Sequence, residues 1–547
     1  MEHRQTRALH LTAIILIGYI FFFHGMGNYS LKEPDEGRYA EIPREMIESG
    51  NYMVPYLNHV RYFEKPPLFY WTTAMSYKMF GVNEWSFRFP NALSAFLCVM
   101  LLYGMTGRWF GERVAYLSSL ILISSFGFFA MGRIVTLDMF FTLWCFTALL
   151  FFYGYYREKK PLFIYLAYGA LGLSTLTKGP VALILAGATV IIFLLTERRL
   201  SFLKEMRWVP GLAIYAIITV PWFLSISLKE KEFFNFFFVD QHFLRFFTTK
   251  HKRTGSLFYF IPVLLGGMFP WSLLIPRAIA NCWKRQEIRL FLIWSIVVFV
   301  FFTVSRSKLP PYILPVFPAM SLLLGCLFAE KWGQSTRTAS EVIVYMLVFG
   351  VFALSALLPL GDSFQLYLNR LSSDATEIYR DLRGFSITLS LISALVLCLF
   401  LLPRFRRLSY MFYTLGGFSL ALMLLVILNF TVIDKLNTTK RLAAIVRERN
   451  VRAEYFVNYG SLEQTFPFYT QQRIILASYT GELEMGSQYP DAQGFFITRE
   501  EFFRLWGSDA DILCLTKMKR VSHVVSIASG KARVLGCQSG RCLISNH

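Results

Sequence analysis

The chain has 547 residues, 55% hydrophobic and only 16% charged, with 55 Lys and Arg against 35 Asp and Glu for a formal charge of +20. Soluble domains carry about a quarter of their residues as charged groups, so this composition excludes an ordinary soluble enzyme and indicates a polytopic membrane protein. The basic excess lies in short loops between apolar runs, which disfavours a nucleic-acid partner and makes the charge a signal of topology.

Thirteen apolar runs of the length that crosses a bilayer, roughly 17 to 25 residues, are predicted along the chain. They fall at 10–28, 86–106, 114–131, 138–156, 161–177, 180–196, 208–228, 257–276, 290–305, 311–329, 341–360, 385–402 and 408–430. The first follows Arg4 and Arg7 as a signal peptide would. Its end, "FFFHGMGNYS", lacks a small-residue cleavage site, so it is expected to stay as an anchor. With a cytoplasmic amino terminus every inside loop is basic: Arg108 and Arg113; Arg157, Lys159 and Lys160; Arg198, Arg199, Lys204 and Arg207; Lys284, Arg285 and Arg289; Lys331 and Arg337; Arg404, Arg406 and Arg407. The opposite, periplasmic face of a bacterial inner membrane then receives a first loop at about 29–85, a second at 229–256, the stretches 306–310 and 361–384, and everything after 431. The expected architecture is a membrane all-α bundle of about thirteen helices over residues 1–430, followed by a small α/β soluble domain over 431–547.

In the first loop, "PDEGRYAEIPREMIESG" sets Arg38 three residues from both Asp35 and Glu41, and Arg44 three from Glu41 and four from Glu48. Ile42 and Met46 share another side. This predicts an amphipathic helix lying along the interface, opened by Pro34 and Asp35 and closed at Gly50. Glu41, Glu45 and Glu48 are expected to make ordinary pairs on a solvated face. Asp35 and Glu36, at the exit of the first span, are placed to face a cavity. "RYFEKPPLFYW" then holds Glu64 and Lys65 on a rigid extended segment before two prolines.

Later turns on the same face add further charge. "IVTLDMF" supplies Asp138, "TKGP" supplies Lys178, "NFFFVDQHFLRFF" supplies Asp240, His242 and Arg245, and "SRSKLPPYILP" supplies Arg306, Lys308 and Tyr312. Lys and Arg in an aromatic collar at headgroup depth suit a lipid phosphate. The carboxylates among them could serve as a base, hold a cationic sugar or bind a metal. The spans themselves are nearly free of ionisable groups. Arg88, Asp138, His10 and His24 are the main ones, and the first two lie at periplasmic ends, a pattern that disfavours a transporter or flippase.

The tail alternates short β-rich runs ("AEYFVNYG", "QRIILAS", "QGFFITR", "DILCLTK") with a helical "REEFFRLWG". It has no Walker loop, dinucleotide fingerprint, HExxH or GxSxG. The eight cysteines form no CxxC, and "CQSGRC" either closes a small disulfide turn or holds two free thiols.

Taken together, the Asp-Glu pair of the first loop, "RYAEIPREM", "RYFEKPPLFYW", "LTKGP", "DQHFLRF" and "KLPPYILP" resemble the 4-amino-4-deoxy-L-arabinose transferases that modify lipid A, relatives of the protein O-mannosyltransferases with the GT-C fold. The likeness is strongest over about 30–330 and extends to "TGELEMGSQYPDAQG" in the tail. It implies an inverting lipid-to-lipid glycosyltransferase. The donor would be an undecaprenyl-phosphate-linked sugar, the acceptor lipid A or another periplasmic molecule, and the outcome resistance to polymyxin and other cationic peptides. It also implies roles. Asp35 and Asp138 would be the catalytic acids, and Arg38, Lys65, Arg245, Lys308 and Tyr312 would surround the donor phosphate. Glu64 and His242 would be ligands of a divalent metal such as zinc. No nucleotide is needed with a lipid-linked donor, membrane lipids are the remaining partners, and a monomer is expected. Two rivals stay open: transfer of another sugar, mannose or galacturonic acid, to protein, lipid or glycan, and a non-catalytic lipid flippase or scaffold.

Overall fold

The computed structural model describes residues 2–247, 255–333, 339–357, 375–402, 407–430, 437–449, 451, 453–527 and 532–546. The expected loop positions 361–374 and the basic residues Arg337, Arg404 and Arg406 lie outside them.

Most of the chain is helical, because runs such as 137–158 and 286–304 are apolar on every side and a backbone in lipid must satisfy its own hydrogen bonds. Among the described residues, seven helices are long and apolar enough to cross a membrane: Arg4–Phe23, Glu84–Phe110, Leu137–Glu158, Trp208–Lys229, Gln286–Val304, Tyr379–Leu401 and Leu408–Leu428. Two bent pairs, Glu112–Ile123 with Phe126–Arg133 and Phe260–Gly267 with Trp271–Cys282, raise the number to nine. Shorter apolar helices cover Val181–Thr196, Val316–Glu330 and Val344–Leu354. Leu137–Glu158 is the central one, with 89% of its apolar window buried against 22% for the outer Trp208–Lys229. Helices come together where a glycine leaves room: a Cβ on Gly325 would lie 2.0 Å from the Ser118 hydroxyl oxygen. The 63° bend at Ser124–Ser125 also has a local cause. The Ser125 hydroxyl donates back to the Ile121 carbonyl at 2.7 Å, while Trp271 Nε1 donates to the Ser124 hydroxyl at 3.0 Å.

Above the bundle, the helix Asp35–Ser49 begins at Pro34 and ends at Gly50, whose φ of 68° is the left-handed stop that glycine accepts. Its surroundings correct the sequence reading. Every side chain from Glu36 to Met46 is buried, so the helix does not present the solvated face expected of it. Glu41 instead receives Arg44 through two hydrogen bonds of 2.8 and 2.6 Å, and Glu45 accepts the His59 amide at 2.9 Å. Only Glu48 keeps an open side, paired with Arg44 at 2.9 Å.

What covers this helix is the C-terminal lobe. Strands β1 (Tyr56–Leu57) and β2 (Val60–Arg61) make a hairpin whose turn residues Asn58 and His59 have φ of 55° and 58°, the geometry of a primed turn. Asn58 pins that turn to the lobe, donating to the Ile474 carbonyl at 2.7 Å and accepting its amide at 2.8 Å. The lobe's own sheet contains β3 (Tyr455–Tyr459), β4 (Ile475–Ala477), β5 (Phe496–Ile497), β6 (Ile512–Lys517), β7 (Arg533–Gln538) and β8 (Arg541–Ser545) in the order β5-β4-β3-β6-β8-β7. The first four are parallel and the last two antiparallel. Cys537 and Cys542 are joined by a disulfide across the β7–β8 hairpin.

The connections reverse between β3 and β6, which opens a crevice at the carboxyl ends of those strands. Glu33, from the first loop, reaches the segment that follows β3. It accepts the amides of Gln464 and Thr465 at 2.8 and 2.7 Å and also the Thr465 hydroxyl. Gly37 makes the close approach possible, since a Cβ there would lie 2.6 Å from the backbone of both Gln464 and Thr465.

Candidate functional site

Between the first loop and the helix ends of the bundle, lined by residues from Asp35 to Tyr312, lies a cavity of about 480 Å³. Four cations, Arg38, Lys65, Lys178 and Arg245, and three carboxylates, Asp35, Glu64 and Asp138, line it. Each is delivered by the end of an element. Asp35 opens its helix, where a carboxylate is favoured by the helix dipole, and its side chain is 47% exposed. Glu64 and Lys65 precede Pro66 and Pro67, which start the helix Leu68–Phe80. Asp138 sits in the first turn of Leu137–Glu158 behind the Thr136 cap, and Lys178 ends Pro161–Lys178.

The charges are matched in pairs with some cations left over. Lys178 forms an ion pair with Asp138, and its ammonium lies 4.5 Å from the centroid of the Tyr312 ring. Arg245 donates to Gln241 at 3.0 Å and to the Tyr312 hydroxyl at 3.3 Å. Arg38, buried, holds Glu482 of the lobe at 2.9 Å and Asp35 at 3.5 Å. Lys65 donates to the Glu64 carbonyl at 3.0 Å. Burial, together with Arg245, Lys178 and Arg38 and against Glu64, pulls the Lys65 ammonium down to about 7. A dianionic group entering the cavity would recharge it. Lys65, Arg245 and Tyr312 thus bring two cationic groups and a hydroxyl to the same cavity lining as Asp35, Glu64 and Asp138.

Part of the remaining wall is apolar. Val181, Ile184, Phe301 and Phe302 continue the cavity toward the outward-facing side chains Ile191, Ile192, Val300 and Val304. A ligand with a charged head and a hydrocarbon tail fits that gradient.

Three expectations change at this level. Lys308 is not among the lining residues. Its ammonium donates to the Thr303 and Ser305 carbonyls at 2.6 and 2.7 Å, capping the helix Arg289–Val304. Glu36, read as a partner of Asp35, points the other way into a buried pair with Arg88. The metal reading of Glu64 and His242 is left with two ligands at the cavity and no third among the described residues. His242 Nδ1 meets the Phe237 carbonyl at 2.6 Å and Nε2 meets the Lys178 carbonyl at 3.2 Å. Burial, with Lys65 and Arg245 adding to it, holds the ring near 4 and so neutral. A neutral ring has one N–H, which the shorter contact assigns to Nδ1 and the Phe237 carbonyl, and among the described residues no group of three or more His, Cys, Asp or Glu converges.

Sequence reasoning placed one participant without a role and missed another. Lys178 stood in "TKGP" among the charges of that face, with nothing to pair it with Asp138. Glu482 stood in the tail motif "TGELEMGSQYPDAQG", and nothing local said that it would reach Arg38, more than four hundred residues away.

Comparison with known proteins bears on both halves of the chain. Residues 64–224 match the model of dolichyl-phosphate-mannose-protein mannosyltransferases, and residues 442–546 match the aminoarabinose transferase C-terminal domain. The undecaprenyl phosphate-alpha-4-amino-4-deoxy-L-arabinose arabinosyl transferase of Erwinia tasmaniensis is 30% identical over 494 residues, covering 88% of this chain and 87% of its own. That of Shewanella sediminis is 30% identical over 511 residues, covering 89% and 90%. Among solved structures, ArnT from Cupriavidus metallidurans bound to undecaprenyl phosphate superposes with a TM-score of 0.84 at 25% identity, over 98% of each chain.

Proposed function

The chain belongs to the undecaprenyl phosphate-α-4-amino-4-deoxy-L-arabinose arabinosyl transferase family, and from that premise we propose that it transfers the aminated sugar from undecaprenyl phosphate to a phosphate of lipid A. It is a glycosyltransferase that uses a polyprenyl-phosphate-linked donor. The observation that carries the reading is the cavity in which Lys65, Arg245 and Tyr312 face carboxylates at the mouth of an apolar wall. Phosphate, sugar and polyprenyl tail each have a chemically matched surface there.

The reaction is an inverting displacement at the anomeric carbon. The bond from that carbon to the donor phosphate oxygen breaks, and an acceptor phosphate oxygen attacks from the opposite face. Lys65 and Arg245 would stabilise the charge that gathers on the departing phosphomonoester. The attacking phosphate is already anionic near neutral pH, so no strong base is required. Asp35 then orients the acceptor or neutralises the ammonium of the sugar. Asp138 keeps the Lys178 ammonium over Tyr312.

The topology that fits this chemistry has thirteen crossings: the seven long spans, the two bent pairs, the three shorter helices and Pro161–Lys178. With a cytoplasmic amino terminus, cavity and lobe face the periplasm, where no nucleotide donor is available. A monomer contains every lining residue.

The test is the mass of lipid A from a polymyxin-sensitive host that makes the donor but lacks its own transferase, expressing this protein or Asp35→Asn. An added aminoarabinose with the parent and none with an equally abundant variant is the expected result. Unmodified lipid A with both, at good expression, would overturn the reading.

A further inference from the structure

The C-terminal lobe enters the cationic site through one side chain. Glu482 Oε2 lies 2.9 Å from Arg38 Nη2, while Asp35 Oδ1 lies 3.5 Å from Nη1 of the same guanidinium, so two carboxylates share one buried cation, Asp35 at the longer distance. Glu482 holds the better position and is itself steadied by the Gln464 side-chain amide, which donates to its other oxygen. The Gln464 backbone amide is fixed in turn on Glu33 at 2.8 Å. The six residues from Glu33 to Arg38 are thus gripped at both ends by the lobe. Gly37 lies between them, against Gln464 and Thr465.

We propose that Glu482 is a positioning residue of the transferase: it holds the Arg38 guanidinium so that Asp35 is left for the substrate. The inference rests on the function proposed above and on the donor phosphate entering the cavity. Arg38 has a second partner in Asp35, one helical turn away on the same helix and 3.5 Å from Nη1, onto which it can close further. If the charge of Glu482 were lost while its shape stayed, two changes would follow. The cavity would gain one uncompensated positive charge, which favours a bound phosphate. Arg38 would also close onto Asp35, removing the carboxylate that meets the sugar or acceptor. Binding and turnover should therefore move in opposite directions. A lobe that merely props up the fold predicts that both weaken together.

The experiment uses the full-length protein in detergent or nanodiscs, comparing the parent with Glu482→Gln, Glu482→Asp and Gly37→Ala. Affinity for undecaprenyl phosphate is followed by intrinsic fluorescence, transfer to lipid A by mass, and thermal stability alongside. For Glu482→Gln we expect undecaprenyl phosphate to bind about threefold to tenfold tighter and turnover to fall at least about tenfold, at an unchanged melting temperature. Glu482→Asp should return both toward the parent. Gly37→Ala, which displaces the lobe, should weaken binding and turnover together. Glu482→Gln matching the parent in both, or losing both with a lowered melting temperature, would overturn the proposal. A parent that binds undecaprenyl phosphate but transfers no sugar would sink the proposed function instead, with the direction of the Glu482→Gln binding change still deciding this inference.

Discussion

Arg88 donates Nε and Nη2 to the two carboxylate oxygens of Glu36 at 2.9 and 2.7 Å, and both side chains are 1% exposed. The remaining donors of Arg88 are used on the Met26, Tyr29 and Ser30 carbonyls, and the guanidinium lies 3.8 Å from the centroid of the Tyr29 ring. Glu36 also takes the amides of Lys32 and Val135. One ion pair therefore ties the exit of the first span to two later segments, close to Asp35 but turned away from the cavity.

Removing one partner leaves a buried charge without compensation, which costs roughly 3–5 kcal/mol. Arg88→Met and Glu36→Gln are accordingly expected to lower the yield of monodisperse protein in fluorescence-detected size exclusion, whatever their effect on turnover. If either variant were as abundant and as heat-stable as the parent, the pair would not be the structural tie described here.

That pair also shows how far the sequence could be read. Apolar length and loop charge sufficed to place the runs that become the long spans, because lipid imposes them locally. That Arg38, Lys65, Arg245 and Tyr312 belong together was implied by the family resemblance, and all four do line one cavity. Local spacing was silent on which neighbour turns inward. Asp35 and Glu36 are adjacent acids on the same helix turn, and only the long-range position of Arg88 separates their roles. The burial of Glu41 and Glu45 was hidden for a similar reason, since the lobe that covers them is built from residues after 437. Lys308 had the composition of a phosphate ligand but not the reach, its ammonium being held by two carbonyls near a helix end.

Glu33 makes lobe docking dependent on pH. Burial and the neighbouring Glu463 push its carboxyl from 4.5 up to about 7, against the pull of the Thr465 hydrogen bonds and Arg541. A group whose value is raised on docking favours the docked state below its undocked value, and that contribution is lost as pH rises through 7. The window thus runs from about 4.5 to 7 and spans up to about 3 kcal/mol. Limited proteolysis of the segment joining bundle and lobe is expected to be slower at pH 6 than at pH 8. Glu33→Gln should erase most of that difference, and a difference that survives in the variant would assign it to another group.

Lys65 gives donor binding its own pH signature. In the empty cavity the ammonium titrates near 7, so above that pH most molecules carry it neutral. A bound phosphate dianion favours the charged form, and binding above pH 7 must therefore take up a proton. The affinity for undecaprenyl phosphate is expected to be flat, as far as this group is concerned, below pH 7. Above it, affinity should fall toward about tenfold per pH unit. Lys65→Met should bind more weakly at pH 6.5 and show a flatter profile from 7 to 9. A parent profile that is level across that range would mean that Lys65 stays charged in the empty site.

His242 provides the sharpest test of the metal reading. Its Nδ1 meets the Phe237 carbonyl on its own segment at 2.6 Å, and Nε2 lies 3.2 Å from the Lys178 carbonyl at the end of a neighbouring helix, so the ring is a packing lock between Asn235–Leu244 and the turn that carries Lys178. A Cβ on Gly179 would lie 2.3 Å from Nε2, so the lock also depends on glycine there. If that is its role, exhaustive dialysis against a chelator leaves transfer within about twofold of the untreated enzyme, because a two-ligand site makes no structural or catalytic zinc centre. His242→Gln and Gly179→Ala should each lose activity, and added zinc should restore neither. Loss of transfer on chelation with recovery on zinc would show instead that His242 leaves these carbonyls to coordinate an ion with Glu64.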